Sequence, residues 1–156
     1  MLGKALAPLR FAMTSFQTFG TDGAIARRFW LLGLAQAAHS IEEMIAKLYD
    51  FMWIATERLG LPRMGMTATT FAVVNMTIIA FLLGVAPFVA ARRPWAVAIA
   101  WVAAVIEVLN GSGHLAGTVV FSGYVPGAAT APLLIIAGIA LLSALHRDSE
   151  KGPSRA

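Results

Sequence analysis

Cysteine is absent from all 156 residues. That excludes disulfides, thiolate metal sites and cysteine nucleophiles. Charge is scarce too: Asp, Glu, Lys and Arg make up 13% of the chain, against about 25% in a soluble domain. Hydrophobic residues reach 58% and mean hydropathy is +0.74. Disorder, a coiled coil and a nucleic-acid-binding module are excluded by this balance, which points to an integral membrane protein. The net charge of +4 would suggest a nucleic-acid partner in a soluble chain. Here the basic residues sit at the ends of apolar runs, where membrane topology accounts for them.

A spanning helix needs roughly 20 mainly apolar residues. Four segments qualify: Phe29 to Tyr49, with room to continue to Ile54; Thr67 to Ala91; Trp95 to Phe121; and Val125 to His146. The expected fold is therefore an all-α, four-helix transmembrane bundle. Pro94 and Pro126 suit the first turns of the helices that follow them. Pro132 falls about two turns into the fourth span, where it predicts a bend. Trp30, Trp53, Trp95, Tyr49 and Tyr124 lie near span ends and read as interfacial anchors.

With the N-terminus inside, nine basic residues face the cytoplasm: Lys4, Arg10, Arg27, Arg28, Arg92, Arg93, Arg147, Lys151 and Arg155. Lys47, Arg58 and Arg63 face outward. This bias predicts cytoplasmic N- and C-termini. Residues 1–28 carry Lys4, Arg10, Gln17 and Asp22 among their apolar positions, so they read as a cytoplasmic or interfacial segment. Leu2, Ala5, Leu6 and Leu9 share a face suited to the inner leaflet, and a disordered tail fits as well. Gly20 to Gly23 reads as a turn, and no signal peptide is expected. The membrane domain covers residues 29–146, and a polar tail covers 147–156.

Ionisable residues within such spans are the exception that needs a reason. An Asp, Lys or Arg at a helix centre costs about 2.5–3.5 kcal/mol on insertion scales. Yet His39, Glu42 and Glu43 fall in the first span, Glu107, Asn110 and His114 in the third, and Asn75 in the second. Intramembrane groups of this kind mark function. Gln36, His39, Glu42 and Glu43 occupy about a third of the helix circumference, and Glu107, Asn110 and His114 form one stripe. Ala35, Ala46, Ala100, Ala103, Gly111 and Gly117 lie alongside, which predicts that the two stripes face each other closely. Simpler roles stand beside these. Glu43 is four residues before Lys47, a favourable ion-pair order. Asn75, Asn110 and Gln36 are also suited to interhelical hydrogen bonds, and Gly113 to Gly117 is formally a GxxxG packing motif. His146 borders the basic tail and reads as interfacial.

His39-Ser40-Ile41-Glu42-Glu43, followed by Asn110-Gly111-Ser112-Gly113-His114, resembles the HXXEE family of small bacterial membrane proteins. Tyr124-Val125-Pro126-Gly127 and Thr130-Ala131 are similar to the start of that family's last helix. The resemblance covers about residues 28 to 146. It implies an integral protein of the bacterial inner (plasma) membrane, and an unspecified role for His39, Glu42, Glu43, Asn110 and His114. Glu107 is added from spacing alone.

Three chemistries fit these groups. The first is a divalent metal site, with zinc, iron or manganese as cofactor, held by His39, Glu43, Glu107 and His114. A cation would neutralise clustered glutamates. With two candidate histidine ligands, the histidine-rich fatty-acid hydroxylase pattern is not met. The second is metal-free acid–base catalysis: Glu42 or Glu43 activates water or moves a proton, and Asn110 and His114 stabilise an oxyanion. Either describes a hydrolase or isomerase acting on a lipidic or amphipathic small molecule, since the residues lie mid-span. The third is not enzymatic: a small proton-coupled transporter, or a membrane binding or assembly subunit. Membrane lipids are the expected surroundings, and an oligomer is compatible with every reading.

Overall fold

In a computed structural model, residues 21–63 and 65–150 are described. They form five helices and no strand. These are α1 (Thr21–Ile45), α2 (Leu48–Arg58), α3 (Ala68–Ala90), α4 (Pro94–Val120) and α5 (Ala131–Glu150). The all-helical expectation holds. The expected inner-leaflet helix at residues 2–9 and the end of the polar tail lie outside the described residues.

Three of these helices, not four, are long and apolar enough to cross a membrane: α3, α4 and α5. The exception is α1, although it has 25 residues. Arg27 and Arg28 lie near its start and Glu42 and Glu43 at its end. The charge-free run between them, Phe29 to Ile41, is shorter than the roughly 20 residues a crossing needs. Even so, α1 shows apolar side chains outward, with Leu31, Leu34, Ile41 and Ile45 all more than half exposed.

Several boundaries differ from the sequence reading. The Gly20–Gly23 turn is replaced at Thr21 by the beginning of α1. The first span breaks at Lys47, which adopts the left-handed conformation (φ 57°) and frees α2 to turn across the bundle. There Tyr49 meets Phe71 at 5.9 Å and Phe51 meets Phe121 at 5.2 Å between ring centroids. Thr67 starts α3 by accepting a hydrogen bond from the Thr70 amide at 3.1 Å. Pro94 opens α4 as expected. Residues 126–130 form turns, and α5 begins only at Ala131. Pro132 consequently lies in the first turn, where its missing amide costs no hydrogen bond, rather than two turns inside.

Packing divides the molecule into two ends. At one end Ile25, Phe29 and Leu32 of α1 pack with Leu82, Val85 and Val89 of α3, Ala96 and Ala100 of α4, and Leu141 and Leu145 of α5. Most of the described basic residues collect here: Arg28 donates to the Ala140 carbonyl at 3.0 Å, and Arg92 pairs with Asp148. At the other end the interior is polar, with Gln36, His39, Ser40, Glu43, Asn75 and Glu107 all buried.

The small residues of α4 do not bring α1 close, as the sequence suggested. They serve the α4–α5 contact, the most extensive in the bundle, while α1 packs mainly on α3 and α5. A Cβ at Gly111 would lie 2.7 Å from the Ala131 carbonyl oxygen, and one at Gly138 would lie 2.6 Å from Val108 Cγ2. Gly113, by contrast, has nothing within 4 Å, so the formal GxxxG pair is not a helix contact on both members.

Gly111→Ala should therefore destabilise the fold by about 1–3 kcal/mol through overpacking against backbone. Gly113→Ala and Gly84→Ala meet open space and should be neutral or slightly stabilising, since alanine favours helix. Thermal unfolding of the three variants in one detergent measures the difference.

Candidate metal centre

The last turns of α1 carry His39 and Glu43 four residues apart, so both point to one side. From α4, His114 reaches the same point. Glu43 Oε1 lies 3.2 Å from His39 Nε2 and 3.1 Å from His114 Nε2. The two imidazoles meet edge-on, with centroids 4.7 Å apart and planes at 81°. One ligand atom from each of His39, Glu43 and His114 falls within 4.8 Å of the others. His39 is fully buried, and only 10% of the His114 side chain is exposed. Polar groups of the first and third expected spans do face each other, even though their backbones touch little.

A glycine makes this convergence possible. Gly127, in the turn before α5, has φ 95°. A Cβ there would lie 2.7 Å from His114 Nδ1 and 2.8 Å from His39 Cε1. Any side chain would push into both rings, and the backbone angle itself suits glycine alone.

Glu42 faces the neighbouring loop. Its Oε1 accepts hydrogen bonds from the Tyr124 hydroxyl, the Gly127 amide at 3.2 Å and the Ala129 amide at 3.0 Å. Its Oε2 accepts from the Thr130 amide at 2.7 Å and from the Thr130 hydroxyl. Amides that precede a helix are unsatisfied donors at its positive end, so an anion belongs there. Glu42 thus ties α1 to the start of α5.

The same network fixes the His39 ring. Thr130 has one hydroxyl proton, and Glu42 takes it. His39 Nδ1, 2.8 Å from Thr130 Oγ1, must then be the donor of that contact. That leaves Nε2 of a neutral ring with a lone pair, turned to the Glu43 side. Among the described residues Nε2 has no hydrogen-bond partner, despite its 3.2 Å approach to Glu43. A lone pair facing a carboxylate is repulsive unless a proton or a metal cation stands between them. This is how proteins prepare a metal-binding histidine, with its far nitrogen donating to an outer partner.

Glu107 stands outside the converging three. It is 4% exposed, lies within hydrogen-bonding reach of Asn110, and is close enough for its charge to act on His39 and Glu43. Its Oε2 is buried without a partner among the described residues. Asn75 belongs to a separate chain: Gln36 Nε2 donates to Ser40 Oγ at 3.1 Å, Ser40 donates to Asn75 Oδ1 at 2.7 Å, and Asn75 donates to the Phe71 carbonyl at 3.1 Å. Glu43 lies against the two imidazoles, while Lys47 sits beyond the end of α1 in the helix break. His146 is exposed beside Glu150, on the last turns of α5.

Thr130, Gly127 and Ser40 were given no role by sequence spacing. Thr130 and Gly127 fall in a proline-containing turn, which signals a helix start but not what that start binds. The cluster also lies off the middle of α1, because α1 ends at Ile45. It extends from Glu107 at mid-height of α4 toward the end opposite Arg28 and Arg92.

Glu42→Ala strands three amides and two hydroxyls and should cost about 3 kcal/mol, read by thermal unfolding beside the exposed Glu57→Ala. Tyr124 offers an independent readout. The hydrogen bond to Glu42 raises its phenol above the ordinary tyrosine value, with burial and the Glu42 charge adding to it. The bond's contribution to stability is complete below the ordinary value and lost as pH rises through the raised one. In a Tyr49→Phe background, leaving Tyr124 as the only tyrosine, phenolate absorbance should titrate lower after Glu42→Gln.

No curated protein and no solved structure matches this chain. Residues 30–141 match the family described as "protein of unknown function with HXXEE motif", whose signature is the His39-to-Glu43 segment that builds this cluster. With most of its length inside that match, the chain belongs to the HXXEE family.

Proposed function

We propose that this protein is a membrane-embedded, divalent-metal-dependent enzyme acting on a lipidic or amphipathic substrate by hydrolysis or proton transfer. The observation that carries the reading is the buried His39–Glu43–His114 convergence, with the His39 ring held by Thr130 and, through it, Glu42. Two nitrogens and one carboxylate suit zinc, iron or manganese. Three protein ligands leave a position for substrate or water, the arrangement of catalytic rather than structural zinc sites. Bound there, the ion would polarise a carbonyl or phosphoryl oxygen, or acidify a water.

The chain's own residues divide the remaining work. Thr130 sets the His39 tautomer, and Glu42 holds Thr130. Gly127 keeps the imidazoles close and covers them. Asn110 steadies Glu107. The apolar outer surfaces of α3, α4 and α5 support a bilayer location, and α1 joins them with its carboxylates turned inward or onto the loop. Five of the seven described arginines, Arg27, Arg28, Arg92, Arg93 and Arg147, gather at one end and support a cytoplasmic placement of that end. The metal cluster then lies toward the opposite leaflet, within reach of amphipathic molecules entering from the side.

Protein purified without chelators should hold about one divalent ion per chain by elemental analysis. His39→Ala and His114→Ala should drop well below that, and His146→Ala should match wild type. Binding should weaken as pH falls, because imidazole and carboxylate must lose protons to ligate. Folded wild-type protein that neither carries nor takes up zinc, iron or manganese would falsify the metal reading.

A further inference from the structure

On the outside of the bundle, α1 and α5 leave a groove between them with a volume of about 400 Å³. Arg28, Ala35 and Ala38 line it from one face of α1, and Ala137 and Ala140 line it from α5. Arg28 is the single charged side chain among the described residues of the lining, and the others are aliphatic. Leu34 and Ile136 also line the groove and are 57% and 66% exposed, so it opens sideways toward the bilayer.

Each end of the groove is closed by a polar tie. At the outer end, four residues beyond Ala38 on the same helical face, Glu42 accepts from the Thr130 amide at 2.7 Å. At the inner end Arg28 donates to the Ala140 carbonyl at 3.0 Å. From Arg28 to Ala38 the helix rises about 15 Å, half of a hydrocarbon core about 30 Å thick. Spread over that length, the volume averages about 27 Å² in cross-section. A helix about 10–12 Å across fills roughly three to four times as much. The groove is therefore too narrow for a partner helix, and its size suits one polymethylene chain reaching one leaflet deep.

The cation sets the head of the occupant. A guanidinium has more N–H donors than one carbonyl can take, and no carboxylate pairs with Arg28 among the described residues. Arg28 is half-buried at the groove's inner end, where its fork is complementary to a phosphate. Arg27 and Arg93, exposed at the same end, add positive potential that favours a net-negative head over a zwitterionic one.

We propose that the α1–α5 groove binds one anionic phospholipid of the cytoplasmic leaflet, with one acyl chain along the alanines and the phosphate on Arg28. The open side admits the lipid laterally and leaves its second chain in the bilayer. Bound there, it holds α1, whose uncharged run is short for a crossing, against α5. The site is separate from the His39–Glu43–His114 cluster and does not depend on a metal.

The test uses the full chain in a neutral detergent, with dioleoyl phosphatidylglycerol and dioleoyl phosphatidylcholine as probes and native mass spectrometry to count bound lipid. Wild type should bind one phosphatidylglycerol at least about tenfold more tightly than phosphatidylcholine. Arg28→Gln should remove that preference, and Arg28→Lys should keep most of it. Arg93→Gln, which removes the same charge from another helix, should leave it unchanged. Ala38→Phe fills the groove at an exposed position and should weaken binding of both lipids severalfold. Chelator treatment should change neither affinity. Equal wild-type affinity for the two lipids overturns the proposal, as does equal loss of preference in Arg28→Gln and Arg93→Gln, since diffuse surface charge would then account for it. Ala38→Phe that binds both lipids as wild type does overturns it too. A lipid-free dimer that Ala38→Phe dissociates would assign the groove to a second copy of the chain. Protein that takes up no metal yet prefers phosphatidylglycerol removes the metal reading and leaves this proposal standing.

Discussion

The Glu42 carboxylate accepts hydrogen bonds from three amides and two hydroxyls of residues 124–130, and the rest of the polar end depends on that contact. The amides before α5 have no partner within their own helix and would be costly to bury unpaired. By filling them, Glu42 fixes where α5 starts and how it meets α1. Once the loop is seated, Thr130 stands beside His39 and Gly127 lies over both imidazoles. The adjacent glutamates therefore have separate tasks: Glu42 holds the loop, and Glu43, one residue on, turns 100° around the helix to the interior.

Dividing the bundle into an apolar end and a polar end lets one small molecule hold both. Phe29, Leu32, Val89, Ala100 and Leu141 make the apolar end close-packed, and Arg28 and the Arg92–Asp148 pair border it. Gly111 and Gly138 bring α4 and α5 into near-backbone contact, so the loop joining them is held firmly. That contact supports the His114 position, as the proposed metal site would require of its ligands. The polar end is buried by helices that touch less, α1 against α4 above all. Its contacts are hydrogen bonds and ring edges rather than interdigitated side chains.

Much of this was legible in the sequence because composition and period are local properties. The apolar runs that became α3, α4 and α5 are long enough to name themselves. His39, Glu43 and His114 could be picked out because an ionisable residue in such a run is conspicuous. The first run misled, since Phe29 to Ile54 reads as one apolar stretch while Lys47 breaks it and Glu42 and Glu43 end its uncharged part. Pro126 and Pro132 were placed one helix turn or more from their true setting, because helix starts depend on where the orphan amides find an acceptor, and that acceptor lies more than eighty residues away.

What the sequence determined by itself is the all-helical character, the apolar spans and the set of groups able to bind a metal, each set by side-chain chemistry and a fixed helical period. Only the tertiary structure decided how those groups divide. Glu42 and Glu43 are identical in type and adjacent in sequence, and Glu107 differs from neither in chemistry. One became a cap, one joined the imidazoles and one was left with an oxygen unpartnered among the described residues, because what a carboxylate does depends on which groups reach it. Those groups come from α1, α4 and the 124–130 loop, and only packing in three dimensions brings them together.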